Sequence, residues 1–246
     1  AMNIAQLINS NTASSLASSQ TSTQATTGTG TVSHALKRVD ARIQSQLDTT
    51  GAQLSSFGKL KSAVSDAQLA AHALSAFTST ASTADIKAAA SRFVAAYNTA
   101  LTTAKSTASL PGTATAQSSS AGRFSRDLSR TLSTNTATLD ALKKMGIKPQ
   151  ADGTLTLDTA KFDAAQKADP ANVRATLAKI GQWVDKAATT ELATGSGVSD
   201  AMASLSQRSA ALKAQQSAMS SLVQSMTTAQ NTANSSYGLS AYNSRY

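Results

Sequence analysis

The chain contains no cysteine, which excludes disulfides, thiolate nucleophiles and thiolate metal ligands together. Aromatic residues are nearly as scarce, at 4% of 246 positions with a single tryptophan. Much of the 41% hydrophobic content is alanine. A large apolar side chain contributes about 1.5–3 kcal/mol when fully buried, so a chain this poor in them does not build a thick core. Long helices packed along narrow seams suit the composition, because alanine, glutamine and lysine favour helix and tolerate water. Apolar runs long enough to span a bilayer are missing too. The opening AMNIAQLINSNTASSLASSQ has neither the basic nor the continuous apolar region of a secretory signal. If the protein leaves the cytoplasm, it is therefore expected to do so by a route that uses no cleavable signal.

The formal charge of +9 is spread rather than gathered. Lys37-Arg38, Arg42, Lys59, Lys61, Arg123, Arg126, Arg130 and Lys143-Lys144 never grow into a run. Nucleic-acid binders concentrate such residues into a stripe, often with aromatics between them. Solvated helix faces account for this scatter, and neither nucleic acid nor membrane is an expected partner.

Chemistry is equally thin. His34 and His72 lie about 57 Å apart at helical rise and share no site. The thirteen carboxylates show no metal-binding spacing, no calcium loop and no HExxH, and no phosphate-cradling glycine loop follows a strand. No catalytic, cofactor or metal site, and no enzyme, is expected.

What is present is periodicity. Residues 1–31 are expected to be a disordered tip, since 9–31 are almost wholly Ser, Thr, Gln, Asn, Ala and Gly. From Val32 the pattern changes: Val32, Leu36, Val39, Ile43, Leu47, Leu54, Phe57, Leu60 and Val64 recur at steps of three, four or seven. That spacing predicts one face of a helix, with Ser33 as N-cap, running through Leu74 for about 60 Å. After a polar break at 77–85, where Ser82 and Asp85 suit a capping box, Ile86, Ala90, Phe93, Tyr97 and Leu101 mark a second helix. Residues 32–108 thus form the first part of a stalk, and 109–122 read as a flexible linker.

A small head is expected over 123–190. Phe124, Leu128, Leu132, Leu139, Leu142 and Met145 form one amphipathic stretch. A β-hairpin over 146–157 follows, with Ile147 before the KPQADG turn and Leu155 and Leu157 alternating after it. Asp158 and Asp169-Pro170 are placed to start helices, the second carrying Leu177, Ile180, Trp183 and Val184. Finally Val198, Met202, Leu205, Ser209, Leu212, Gln216, Met219, Val223 and Met226 alternate steps of four and three, a coiled-coil seam expected to pack on the Val32–Leu74 stripe. Residues 227–246 read as a second disordered tip. The fold class is mainly α: an antiparallel helical coiled-coil stalk or bundle with a small α+β head.

Three stretches carry a resemblance. RIQSQLDTTGAQLSSFGKLKSAVSDAQLAAHALS contains Phe57, Gly58, Lys59, Leu60, Lys61 and Ser62; DIKAAASRFVAAYNTAL contains Phe93, Val94, Tyr97 and Asn98; the third runs from the Gly-Ile strand through Asp-Gly and TLTLD to Phe162 and ADPANV. Together, and in this order, they resemble the bacterial flagellar filament cap family, hook-associated protein 2 (FliD). The chain is similar to a short form: 77–85 stand where the family usually carries a large β-rich insertion, and the start MNIAQLINSN differs from the family's.

The resemblance implies a homo-oligomer, a ring commonly of five or six copies, placed outside the cell at the distal end of the flagellum. Flagellin would polymerise beneath it, hook–filament junction proteins and an export chaperone would be further partners, and motility and adhesion the processes served. Ile147, Leu155 and Leu157 are expected at the contact between neighbouring subunits. Alternatives are a cap-derived binding module, another helical axial or junction component and, more remotely, a basic nucleic-acid-binding coiled coil.

Overall fold

The computed structural model describes residues 28–110, 116–195 and 197–244. The chain is mainly α-helical with one two-stranded antiparallel sheet. Helices α1 (Gly28–Ser75), α2 (Thr83–Ala108), α3 (Ala116–Ser133) and α4 (Thr136–Lys144) precede strands β1 (Ile147–Pro149) and β2 (Leu155–Leu157). Helices α5 (Thr159–Ala168), α6 (Pro170–Leu192) and α7 (Gly197–Asn243) follow. Two compact units emerge: one takes α1 up to Gly51 and α7 from Gln207, the other Ala52–Ser206.

In the larger unit the helix starts follow from local chemistry. Ser82, Asn135, Asp158 and Asp169 each place a side-chain oxygen on the backbone N–H three residues on, at 3.0, 3.1, 3.1 and 3.0 Å. Each such cap is worth roughly 1 kcal/mol. Pro170, which has no N–H to leave bare, follows Asp169 in the first turn of α6.

The core of this unit joins Phe57, Leu60 and Leu74 of α1 to Phe93, Tyr97 and Leu101 of α2, and to Leu128, Phe162, Leu177 and Ile180 beyond. Alanine does the rest: Ala71, Ala90, Ala100 and Ala104 are all buried, so helices approach closely without large side chains between them. The approach is tightest at Gly181 of α6, where a Cβ would run into the Ala71 carbonyl oxygen and come within 2.9 Å of the Leu74 Cβ. Gln68 Nε2 donating to Thr189 Oγ1 at 2.8 Å fixes the same α1–α6 face.

The hairpin pairs Ile147 with Leu157, Lys148 with Thr156 and Pro149 with Leu155. Its turn is closed by Gln150 N–H to Thr154 O at 2.7 Å and its base by Asp158 N–H to Gly146 O at 2.8 Å. Gly146 has φ +88°, a left-handed conformation that lets α4 stop and β1 begin. Because pairs alternate between bonded and non-bonded along an antiparallel ladder, the backbone groups of Leu155 point away from β1. The Asn98 side chain takes both: its Nδ2 donates to Leu155 O at 2.8 Å and its Oδ1 accepts from Leu155 N–H at 2.7 Å. One amide on α2 thus stands in for a third strand.

Several expectations need correction. Helix α3 begins at Ala116, inside the stretch expected as linker, because Ala121 is buried on the same face as Phe124, Leu128 and Leu132. Tertiary burial overrides the polar composition there. The stretch 123–145, expected to be continuous, breaks before the Asn135 cap. Helix α1 starts at Gly28, so Ser33 lies within it rather than capping it. Helix α7 runs on to Asn243 through residues expected to be loose. Extending an existing helix is far easier than nucleating one, and Thr227, Thr228, Thr232, Ser235 and Ser236 turn their hydroxyls back onto carbonyls four residues earlier. What the sequence suggests for residues 1–27 lies outside the described residues.

Replacing Asn98 with leucine keeps the bulk but leaves two backbone groups of Leu155 without partners, and should cost about 1–3 kcal/mol. Urea unfolding followed by the fluorescence of Trp183 measures this directly; an unchanged midpoint would show that the amide is dispensable.

Candidate assembly surface

The smaller unit is a pair of antiparallel helices with a thin seam. Ile43, Leu212 and Met219 are buried together, with Leu36, Val39 and Leu47 packed against them. Gln216, a polar position in the stripe, donates through Nε2 to Gln44 Oε1 at 2.8 Å. Further along, the seam opens into a groove of about 590 Å³ lined by Ser33, Leu36, Lys37, Met219, Val223 and Met226.

The stripe expected as one continuous seam is divided. Leu36, Val39, Ile43, Leu47, Leu212 and Met219 gather in this unit, and Val32 is half-buried. Val198 and Leu205 are buried in the core of the larger unit, with Leu54 and Met202 packed against it. Val223 and Met226 are not closed over: they remain 43% and 39% exposed, beside Leu222 at 39%. Opposite them α1 offers Ser33 and Lys37, and one helix alone cannot cover a stripe this wide. Tyr237 and Leu239 continue the uncovered apolar positions of α7. Leu222, Val223 and Met226 are thus apolar side chains that the single chain leaves partly open to solvent.

The hairpin residues sit differently from expectation. Ile147 and Leu155 are buried in the core of their own chain and Leu157 is half-buried, so the first two side chains are unavailable to a neighbour. Helices α2 and α4 pack against the strands, and a hairpin this short needs such packing on its inward face to hold its shape. The outward face presents Lys148 and Thr156.

Residues 75–246 match the family model described as flagellar hook-associated protein 2 C-terminus. The chain belongs to the flagellar hook-associated protein 2 (FliD) family. Comparison with curated proteins and with solved structures returns no match. The matched region begins at the last residue of α1 and takes in the Asn98–Leu155 contact, the hairpin and all of α7. The FliD family is one of structural components of the flagellum. Among the described residues no group of three His, Cys, Asp or Glu side chains is placed to hold a metal ion, and no helix is long and apolar enough to cross a membrane. His72 Nδ1 lies 3.3 Å from Asp185 Oδ2 on the surface, and His34 is exposed.

One titratable group of this FliD-family chain escaped the sequence reading. Glu191, its sole glutamate, sits in the last turn of α6 with its carboxyl against Gly197 and the start of α7. Its Oε1 is buried without a hydrogen-bond partner. Burial, and then the charge of Asp127, raise its pKa to about 7 against the pull of Arg123 and the Val198 N–H. The folded state therefore holds a proton that the unfolded chain releases near its ordinary value of 4.5. By linkage, the corresponding stability is fully present below that value and is lost as pH rises through about 7. Glu191→Gln should flatten this part of the pH profile and raise the melting temperature above pH 8; thermal unfolding of both proteins across pH 5–9 tests it, and parallel profiles would contradict it.

Proposed function

We propose that this FliD-family chain is a minimal filament-cap protein, a ring of five or six copies at the distal end of the flagellum that promotes the addition of flagellin beneath it. Family membership over residues 75–246 carries the reading. The uncovered strip of Leu222, Val223 and Met226 supports it: each such side chain gains about 1.5–3 kcal/mol if a neighbouring copy buries it fully. The polar end of α7, residues 227–243, is the part that reaches toward flagellin and the junction proteins of the filament base. On the same reading the chain works outside the cell, on the flagellum, with a flagellar export chaperone as its escort.

A second reading, a cap-derived binding module, draws on one observation. Residues 76–82 join α1 directly to α2, where the family resemblance leads one to expect a β-rich insertion.

Light scattering after size exclusion separates the two. The cap reading expects an assembly of several copies, and expects Val223→Asp with Met226→Asp to give a monomer of unchanged helicity, since both side chains are exposed in the single chain. Deleting the gene should abolish normal filaments. A wild-type chain that stays monomeric at high concentration, with intact filaments in the deletion strain, would end the cap reading; chaperone binding without a ring would favour the module.

A further inference from the structure

The turn of the hairpin, the end of α2 and one face of α3 enclose a cleft of about 580 Å³. Three cations line it: Lys105 from the last turn of α2, and Arg126 and Arg130, one turn apart on α3. Lys105 Nζ donates to the backbone oxygen of Asp152. The single carboxylate of the lining, Asp152, is already engaged: its Oδ1 accepts from the Thr154 hydroxyl at 2.6 Å and from the Thr154 N–H at 3.0 Å. Those bonds hold it below the usual carboxylate range, so it stays charged but turned to its own turn. Among the described residues the only ion pairs are His72 with Asp185 and Lys87 with Asp163, neither in the cleft.

The hydroxyls of the cleft are also committed. Ser125 donates to Gly122 O at 2.8 Å, Ser129 to Ser125 O at 3.1 Å and Ser133 to Ser129 O at 3.0 Å. What remains on offer is a pair of guanidinium forks set four residues apart, an arrangement that repels itself until an anion arrives. A planar fork matches a carboxylate in two parallel hydrogen bonds, which makes arginine the natural reader of Asp and Glu side chains.

We infer that this cleft docks a carboxylate-rich segment of a partner protein. A second copy of the chain cannot supply that segment, because no two of its thirteen carboxylates lie within four positions of each other. Single-stranded nucleic acid is a poor occupant, since it is held by stacking as well as charge. The one aromatic of the lining, Tyr97, is 1% exposed and ties its hydroxyl to Leu128 O at 3.1 Å. The site goes beyond the cap reading and stands whether or not copies form a ring.

A fluorescein-labelled twelve-residue peptide rich in glutamate, titrated with the full chain at low ionic strength, tests the inference by anisotropy. Arg126→Glu with Arg130→Glu should weaken binding at least about tenfold, since like charges now face each other. Arg126→Gln with Arg130→Gln should give a smaller loss of the same sign, and covers the case in which charge reversal disturbs the helix. The reference variant, Arg38→Glu with Arg42→Glu on α1, changes net charge equally and should stay within about twofold of wild type. Circular dichroism confirms that each variant is folded. Equal losses in cleft and reference variants, no loss in either cleft variant, or displacement of the peptide by an equimolar oligonucleotide would overturn the assignment.

Discussion

The β-hairpin depends on one side-chain amide for its place in the larger unit. A hairpin of two three-residue strands has too little sheet to hold itself together in water. Asn98 makes it part of the helical framework by satisfying both backbone groups of Leu155 from the α2 side, while Ile147 and Leu155 seal its inner face. With β2 held there, Asp158 at its end is in place to cap α5, and the chain can return through α6 to the α1 face that Gly181 abuts. Two of the stretches that carry the family likeness, one on α2 and one through the hairpin, are thus two halves of a single contact.

The two units solve the shortage of large side chains in different ways. The larger one gathers buried alanines until helices nearly touch, and its few aromatics fill what is left. The smaller one has three buried apolar side chains and a flanking row. At about 1.5–3 kcal/mol each, three such residues do little more than offset the ordering of the helices that carry them. An element so thinly stabilised, with Val223 and Met226 still exposed, is suited to complete its core by association rather than alone.

Charge, too, is gathered by the tertiary structure. The basic residues look scattered in sequence, yet Lys105, Arg126 and Arg130 meet around the hairpin turn because α2 and α3 both end or pass there. Glu191 is the reverse case, an acid held without a full complement of partners at the junction of α6 and α7, where its proton makes up part of what burial takes away.

How much of this was legible beforehand follows from the range of the forces involved. Caps at Ser82, Asp158 and Asp169, the hairpin turn at Asp152-Gly153 and the apolar stripe of α1 are decided by residues three or four apart, so they could be read from the chain itself. The start of α3 at Ala116, the continuation of α7 to Asn243 and the burial of Ile147 and Leu155 depend on what lies across a helix interface, and no local pattern reports that. The amide of Asn98 and the carboxyl of Glu191 are ordinary polar side chains in the sequence. Only the packing of distant segments gave one a strand edge to complete and left the other without water.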